Sequence, residues 1–198
     1  MEGGTLAREI DDIAKRKKYK QNQYGDRKSR KDDYTGERVF SGNTEKAIKK
    51  HPIDKISDTD HVTPIKVVQS RYKGLSDDQQ RIIANSEHNY AITNSKLNRS
   101  KGGLENHEYL MRQTLKGENP GLKTSAKMLE KEAESRIAMR VQATAMYTEN
   151  VVHKISDTDF AMKAKGINQA GKEEAVNSAI FASALSVTTN AVSVVKGE

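Results

Sequence analysis

The sequence holds no cysteine and no tryptophan, and only three prolines and three phenylalanines among 198 residues. Without cysteine there is no disulfide framework, no thiolate zinc site and no thiol nucleophile, and a reducing, cytoplasmic compartment fits that composition. Hydrophobic residues make up 34% of the chain against 31% charged. That is lean for one packed globule, so a small core with extended or partner-dependent helices is expected. The first ten residues, "MEGGTLAREI", contain no apolar run of the kind a secretory leader needs. One stretch, residues 175–195, runs 21 residues without a charge, long enough to span a bilayer. Eight of those residues are Asn, Ser or Thr, whose hydrogen-bonding groups are costly in lipid. Ser178, Ala182 and Ser186 would instead let a second helix approach closely. A self-associating or partner-bound helix over 170–196 is expected in preference to a membrane helix.

What the chain has in excess is positive charge, +7 formally. Nine of its 34 basic residues fall in "KRKKYKQNQYGDRKSRK", residues 15–31: Lys15, Arg16, Lys17, Lys18, Lys20, Arg27, Lys28, Arg30 and Lys31, against the single acid Asp26. By charge, the partner of such a run is a polyanion. On its own it is equally a solvated tail.

The element pattern alternates short strands with helices. Residues 5–20 can form a helix that leads into the basic segment, and "TGERVFSG" (35–42) reads as a strand or hairpin between glycines. "HVTPIKVV" (61–68) is β-branched, with Pro64 marking an edge strand or strand entry. "LSDDQQRIIANSE" (75–87) has Ser76 as a helix cap with Asp77 and Asp78 in the first turn. "YAIT" (90–93) is a second short strand. "NSKLNRSKGG" (94–103) is a helix of about two turns that starts at Asn94 and stops at Gly102. Residues 124–150 carry Met128, Ala133, Ile137, Val141 and Ala145 at helical spacing.

The hexapeptide "KISDTD" occurs at 55–60 and again at 154–159. The first copy continues into His61 and Pro64, with Asn89 at the start of the next strand and Asn98 and Lys101 one turn apart on the helix that follows. The second continues into Phe160 and an Ala- and Gly-rich stretch, and reads as a turn or cap before a helix. A carboxylate, an amide oxygen and a neutral imidazole are what metal-assisted phosphodiester hydrolysis requires: oxygen ligands for a hard divalent cation and a base that titrates near neutrality. On the residues alone, Asp58 and Asp60 serve equally as turn and cap groups, and His61 as a surface strand residue. His51, His88 and His153 have no comparable company, while His107 follows the motif helix closely enough to be a phosphate contact or spare ligand.

"DHVTP" followed by "NYAITNSKLNRSK" resembles the HNH, or ββα-metal, nuclease family, and in particular the HNH domain of RNA-guided DNA nucleases. The resemblance covers residues 54–103, about a quarter of the chain. It implies Asp60 and Asn98 as ligands of Mg²⁺ or Mn²⁺, His61 as general base, Asn89 as the tether of the loop carrying His61, and Lys101 with Arg99 as phosphate contacts. The insert holding the 75–87 helix is longer than the family's usual loop, and the flanking cysteine pairs that hold structural zinc in many members are absent, so no structural zinc is expected. The expected fold is α+β: a basic N-terminal helix and arm (1–34), a small ββα-metal core (35–121) and a helical module (122–198) through which the chain forms a homo-oligomer or meets a regulatory partner along 124–196. The expected activity is metal-dependent DNA cleavage in a bacterial or phage cytoplasm, as a defence or toxin effector, with RNA as an open alternative substrate. The alternative function is a non-catalytic nucleic-acid-binding or assembly protein on a degenerate ββα unit.

Overall fold

The computed structural model describes residues 10–41 and 49–157, which form six α-helices and two antiparallel two-stranded sheets. Helix α1 (Ile13–Tyr24) leads into the hairpin β1 (Ser29–Lys31) and β2 (Arg38–Phe40). A 3-10 turn at Ile53–Lys55 delivers the chain to β3 (Ser57–His61), followed by α2 (Ile65–Arg71) and α3 (Asp77–Ala84). Strand β4 (Tyr90–Asn94) returns beside β3, and α4 (Ser95–Lys101), α5 (Asn106–Leu115) and the long α6 (Leu122–Asp157) complete the described chain. Two compact units divide within α6, Met1–Met139 and Arg140–Glu198. No described helix is long and apolar enough to cross a membrane.

The pair β3–β4 is the centre of the first unit, with Asp60 opposite Ala91 and His61 opposite Tyr90. Alternation along a strand sends successive side chains to opposite faces, and each face has its own apolar cluster. Ala91 packs with Tyr34, Val62, Tyr109 and Met128. Ile92 packs with Tyr24 and Val39, with Tyr19 against them. Helix α4 lies on the first face and α1 on the second.

Several elements form where the local sequence signals place them. Ser76 caps α3 in a reciprocal capping box with Gln79, and Asn94 caps α4 by accepting from the Leu97 amide at 2.8 Å. Gly102, at φ 61°, ends α4 in a backbone conformation that few L-residues adopt. Other expectations are corrected. Residues 65–68 are helical, not extended: Pro64 stands at the N-cap of α2, where a missing N–H costs nothing, and Val68 is fully buried. The basic segment is no free arm, because Tyr24 and Tyr34 are buried and α1 packs on the strands. Helix α5, which lies beyond the elements expected above, is capped by Glu105 and Glu108.

Of the apolar residues at helical spacing on α6, only Met128 packs on the core. Met128, Glu132, Ser135 and Met139 are buried, whereas Ala133, Ile137, Val141 and Ala145 are exposed. The buried face is polar in its middle, so hydrophobic spacing alone does not mark it. The second "KISDTD" enters the end of α6, helical through Asp157, while the first is a 3-10 turn running into a strand. The same residues take the conformation that their packing imposes. The expected helix at 170–196 lies outside the described residues.

Asp32 joins the hairpin to β4. Its buried carboxylate accepts from the Tyr34 and Thr35 amides at 2.8 and 2.9 Å, from the Asn94 amide at 2.7 Å and from Thr93 Oγ1 at 3.0 Å. Asp32→Ala strands these donors without water, and we expect urea unfolding to show a loss of roughly 3 kcal/mol. An unchanged midpoint would show that the hairpin is not held through this group.

Candidate active site

Strand β3 and helix α4 run side by side, and their facing side chains pair in order. Asn98 Nδ2 donates to Asp58 Oδ2 at 3.0 Å. One turn on, Lys101 Nζ donates to Asp60 Oδ2 at 2.7 Å and to the carbonyls of His61 and Val62 at 2.8 and 3.2 Å. Tyr34 adds its hydroxyl to the same Asp60 oxygen at 2.7 Å. Lys101 is 0% exposed and Asp60 4%, so their charges meet in a low-dielectric environment where each needs the other. Burial, followed by the neighbouring Asp60 charge, raises the Tyr34 phenol well above its ordinary value, so it donates to Asp60 as a neutral hydroxyl.

Asn89 is fully buried beneath the loop that follows His61. Its Oδ1 accepts from the Thr63 amide at 2.7 Å and its Nδ2 donates to the Thr63 carbonyl at 3.0 Å. The Val62 amide donates to the Asn89 carbonyl at 2.9 Å, and Ser135 Oγ of α6 donates to Asn89 Oδ1 at 2.9 Å. The side chain of Asn89 therefore holds both backbone polar groups of Thr63, a tether of the kind the HNH resemblance implies.

His61 lies on the other face of β3. Its ring packs on Tyr90 with centroids 5.1 Å apart, and Tyr90 packs in turn on Tyr19 of α1. The imidazole is 10% exposed, and its Nε2 stands 4.0 Å from Asp11 Oδ1. Both atoms are buried and lack a hydrogen-bond partner among the described residues. Asn85 fixes this arrangement by accepting from the Asp12 amide at 3.0 Å and donating to the Ile10 carbonyl at 2.7 Å. Burial lowers the His61 pKa from the ordinary 6.5, with Asp11 opposing the shift and Arg16 adding to it. The imidazole is thereby kept neutral, the form a general base needs.

Lys101 thus meets Asp60 and Asn98 meets Asp58, so α4 pairs with both aspartates of β3, and Asp58 is a member that the motif does not assign. The signal for Asp58 was present in the sequence: in "SDTDH" the two aspartates are two apart, hence on one face of a strand. Lys101 is placed against the carboxylate and two carbonyls, so its ammonium is not turned outward as a phosphate contact would be, whereas Arg99 is exposed on the same helix. Of the basic segment, Lys15, Lys17, Lys18, Arg27, Lys28 and Lys31 are exposed. Lys20 is committed to the Ser57 carbonyl at 2.5 Å, Arg16 to Asp11 at 3.2 Å and Arg30 to Asp33 at 2.6 Å.

Two places suit a cation. At β3–α4, Asn98 spends its Nδ2 on Asp58, which leaves Oδ1, the ligating atom of an amide, with no donor among the described residues. Asp60 likewise keeps Oδ1 free of protein donors there, since Tyr34 and Lys101 both use Oδ2. Carboxylate and amide oxygens without nitrogen or sulfur match the hard Mg²⁺ and Mn²⁺ ions. The second place is Glu105, His107 and Glu132, whose ligand atoms lie within 4.8 Å of one another. There Arg136 bridges Glu132 and Glu105 at 2.6 and 3.2 Å, and Arg71 meets Glu105 at 3.0 Å. Two guanidiniums balance the two carboxylates there, as Lys101 balances Asp60 at β3–α4, and the group also latches α2, α5 and α6 together.

No protein-family model, curated protein or solved structure matches this chain.

The Asp60–Lys101 contact makes a direct prediction. Lys101→Met leaves a buried carboxylate without its counter-charge and should cost about 3–5 kcal/mol in urea unfolding. Adding Asp60→Asn removes that charge, keeps an acceptor for Tyr34, and should recover most of the loss. A Lys101→Met protein as stable as wild type would mean that the ammonium is not paired with Asp60.

Proposed function

We propose that this chain is a metal-dependent nuclease of the ββα-metal type, with DNA as its expected substrate. The observation that carries the reading is the side-by-side placement of Asp58 and Asp60 on β3 with Asn98 on α4, next to a loop that Asn89 holds by both backbone groups of Thr63. A bound divalent cation would supply charge to polarise the phosphodiester and stabilise the leaving oxygen. Asp60 and Asn98 would hold it, with Asp58 orienting Asn98. Lys101 fixes the Asp60 carboxylate through Oδ2 and balances its charge. His61 is the base that the motif assigns, and it would act once its Nε2 turned from Asp11 toward the β3–α4 face, while Asn89 keeps the loop beyond it from drifting.

A second reading has a specific observation in its favour. His61 Nε2 faces Asp11 and lies across the strand from Asp60, as expected of a protein that binds nucleic acid without cleaving it. Plasmid DNA incubated with Mg²⁺ or Mn²⁺, with and without chelator, separates the two. The nuclease reading predicts cation-dependent nicking or linearisation that falls by about 10²–10⁴-fold in His61→Ala. Cleavage should also persist below pH 6.5, because burial lowers the His61 pKa and the base is lost only as pH falls through that depressed value. Binding without any cleavage by the wild type would favour the second reading.

Association through 124–196 belongs to the same proposal. The exposed Leu129, Ile137, Val141 and Val151 give α6 more apolar surface than a solvated helix usually carries. Light scattering is expected to give a mass above the 22.1 kDa of one chain, and a monodisperse monomer would contradict it.

A further inference from the structure

Beside the β1–β2 hairpin lies an open cleft of about 630 Å³ that has no part in the site above. Five cationic side chains line it: Arg27, Arg30, Lys31, Arg38 and Lys127. The two acids on its wall, Asp32 and Asp33, are spent on the scaffold. Asp32 is buried among the amides of Tyr34, Thr35 and Asn94. Asp33 accepts from Arg30 at 2.6 Å and from the Ile92 amide at 2.6 Å. Arg27, Lys31, Arg38 and Lys127 have no carboxylate partner among the described residues. Gly36 faces the Lys127 ammonium so closely that a Cβ there would lie 3.0 Å from Nζ.

Four uncompensated cations around one concavity repel one another, and an anion that enters relieves this repulsion. No aromatic side chain lines the cleft, so there is nothing on which to stack a base, and the chemistry it offers is phosphate recognition without sequence information. The turn that forms its floor also contributes to the candidate active site: Asp33 and Gly36 line the cleft, and Tyr34 between them donates to Asp60 at 2.7 Å.

We propose that this cleft binds the phosphodiester backbone of the substrate strand adjacent to the cleavage position, with Arg38 and Lys127 as its contacts contributed from outside the basic segment. The proposal rests on the nuclease reading for the identity of its ligand. It is tested on the full chain in chelator, where no cleavage occurs, by fluorescence anisotropy with a labelled DNA duplex across a salt series. Arg38→Glu/Lys127→Glu is compared with a control of equal charge change on exposed lysines away from the cleft, Lys73→Glu/Lys116→Glu. Each lost phosphate contact on duplex DNA lowers the log–log salt slope by about 0.9, so the cleft pair should lose about two from the slope and at least tenfold in affinity. The control pair should keep the wild-type slope.

An equal loss in the control pair would overturn the proposal, since binding would then follow net charge and not this cleft. So would wild-type binding by the cleft pair, and if cation-dependent cleavage were retained the nuclease reading would survive that result. Displacement of labelled DNA from the wild type by ATP at concentrations far below those at which inorganic phosphate competes would overturn the proposal and assign the cleft to a free nucleotide. Absence of DNA affinity in the wild type would remove the nuclease reading and this proposal together.

Discussion

The buried contact of Lys101 with Asp60 is the constraint on which the candidate site depends. An ammonium taken wholly out of water is tolerated only where acceptors surround it, and here one carboxylate and two carbonyls do so. Those three acceptors come from consecutive residues, 60 to 62, at the end of β3. The contact therefore fixes three things at once: the distance of α4 from the strand, the direction in which the chain leaves it, and the side on which Asp60 presents its second oxygen. Tyr34 brings the hairpin into the same contact, so the short elements on both sides of the strand pair are tied to one charged group. A chain with a small apolar core gains positional definition this way that hydrophobic burial alone would not give.

The division of labour between the faces of β3–β4 follows from strand alternation. Asp58 and Asp60 fall on the side of α4, and His61 on the side of α1. Asp11 then reaches the imidazole from a segment fifty positions upstream because Asn85 holds the backbone on either side of it. The candidate cation ligands and His61 are therefore neighbours in sequence that are governed by different parts of the fold. Changes to the N-terminal segment act on His61, and changes to α4 act on Asp60.

Much of this was legible beforehand where the signal was local. The caps at Ser76 and Asn94 and the stop at Gly102 each depend on a few adjacent residues, and α3, α4 and β4 lie close to where those residues put them, whereas β3 spans 57–61, ahead of the strand expected at 61–68. What was not legible depended on distant partners. The β-branched "IKVV" is helical because Pro64 starts a helix there and Val68 meets the core. Helix α6 buries Glu132 and Ser135 because His107, Arg136 and Asn89 accept or supply their hydrogen bonds, and no hydrophobic pattern announces that. Lys101 reads in sequence as an exposed helix lysine, since its burial is decided by Asp60, forty-one residues earlier. The mixed α+β character was foreseeable from the spacing of short strands and helices, but the integration of α1 and the first half of α6 into the core was not.

The proposed nuclease reading places a single divalent cation at β3–α4 and not at the Glu105–His107–Glu132 latch. Titration with Mn²⁺ followed by electron paramagnetic resonance, on the wild type, Asn98→Ala and His107→Ala, decides between them. A single bound ion, lost in Asn98→Ala and kept in His107→Ala, is the expected result. An ion kept in Asn98→Ala and lost in His107→Ala would contradict it.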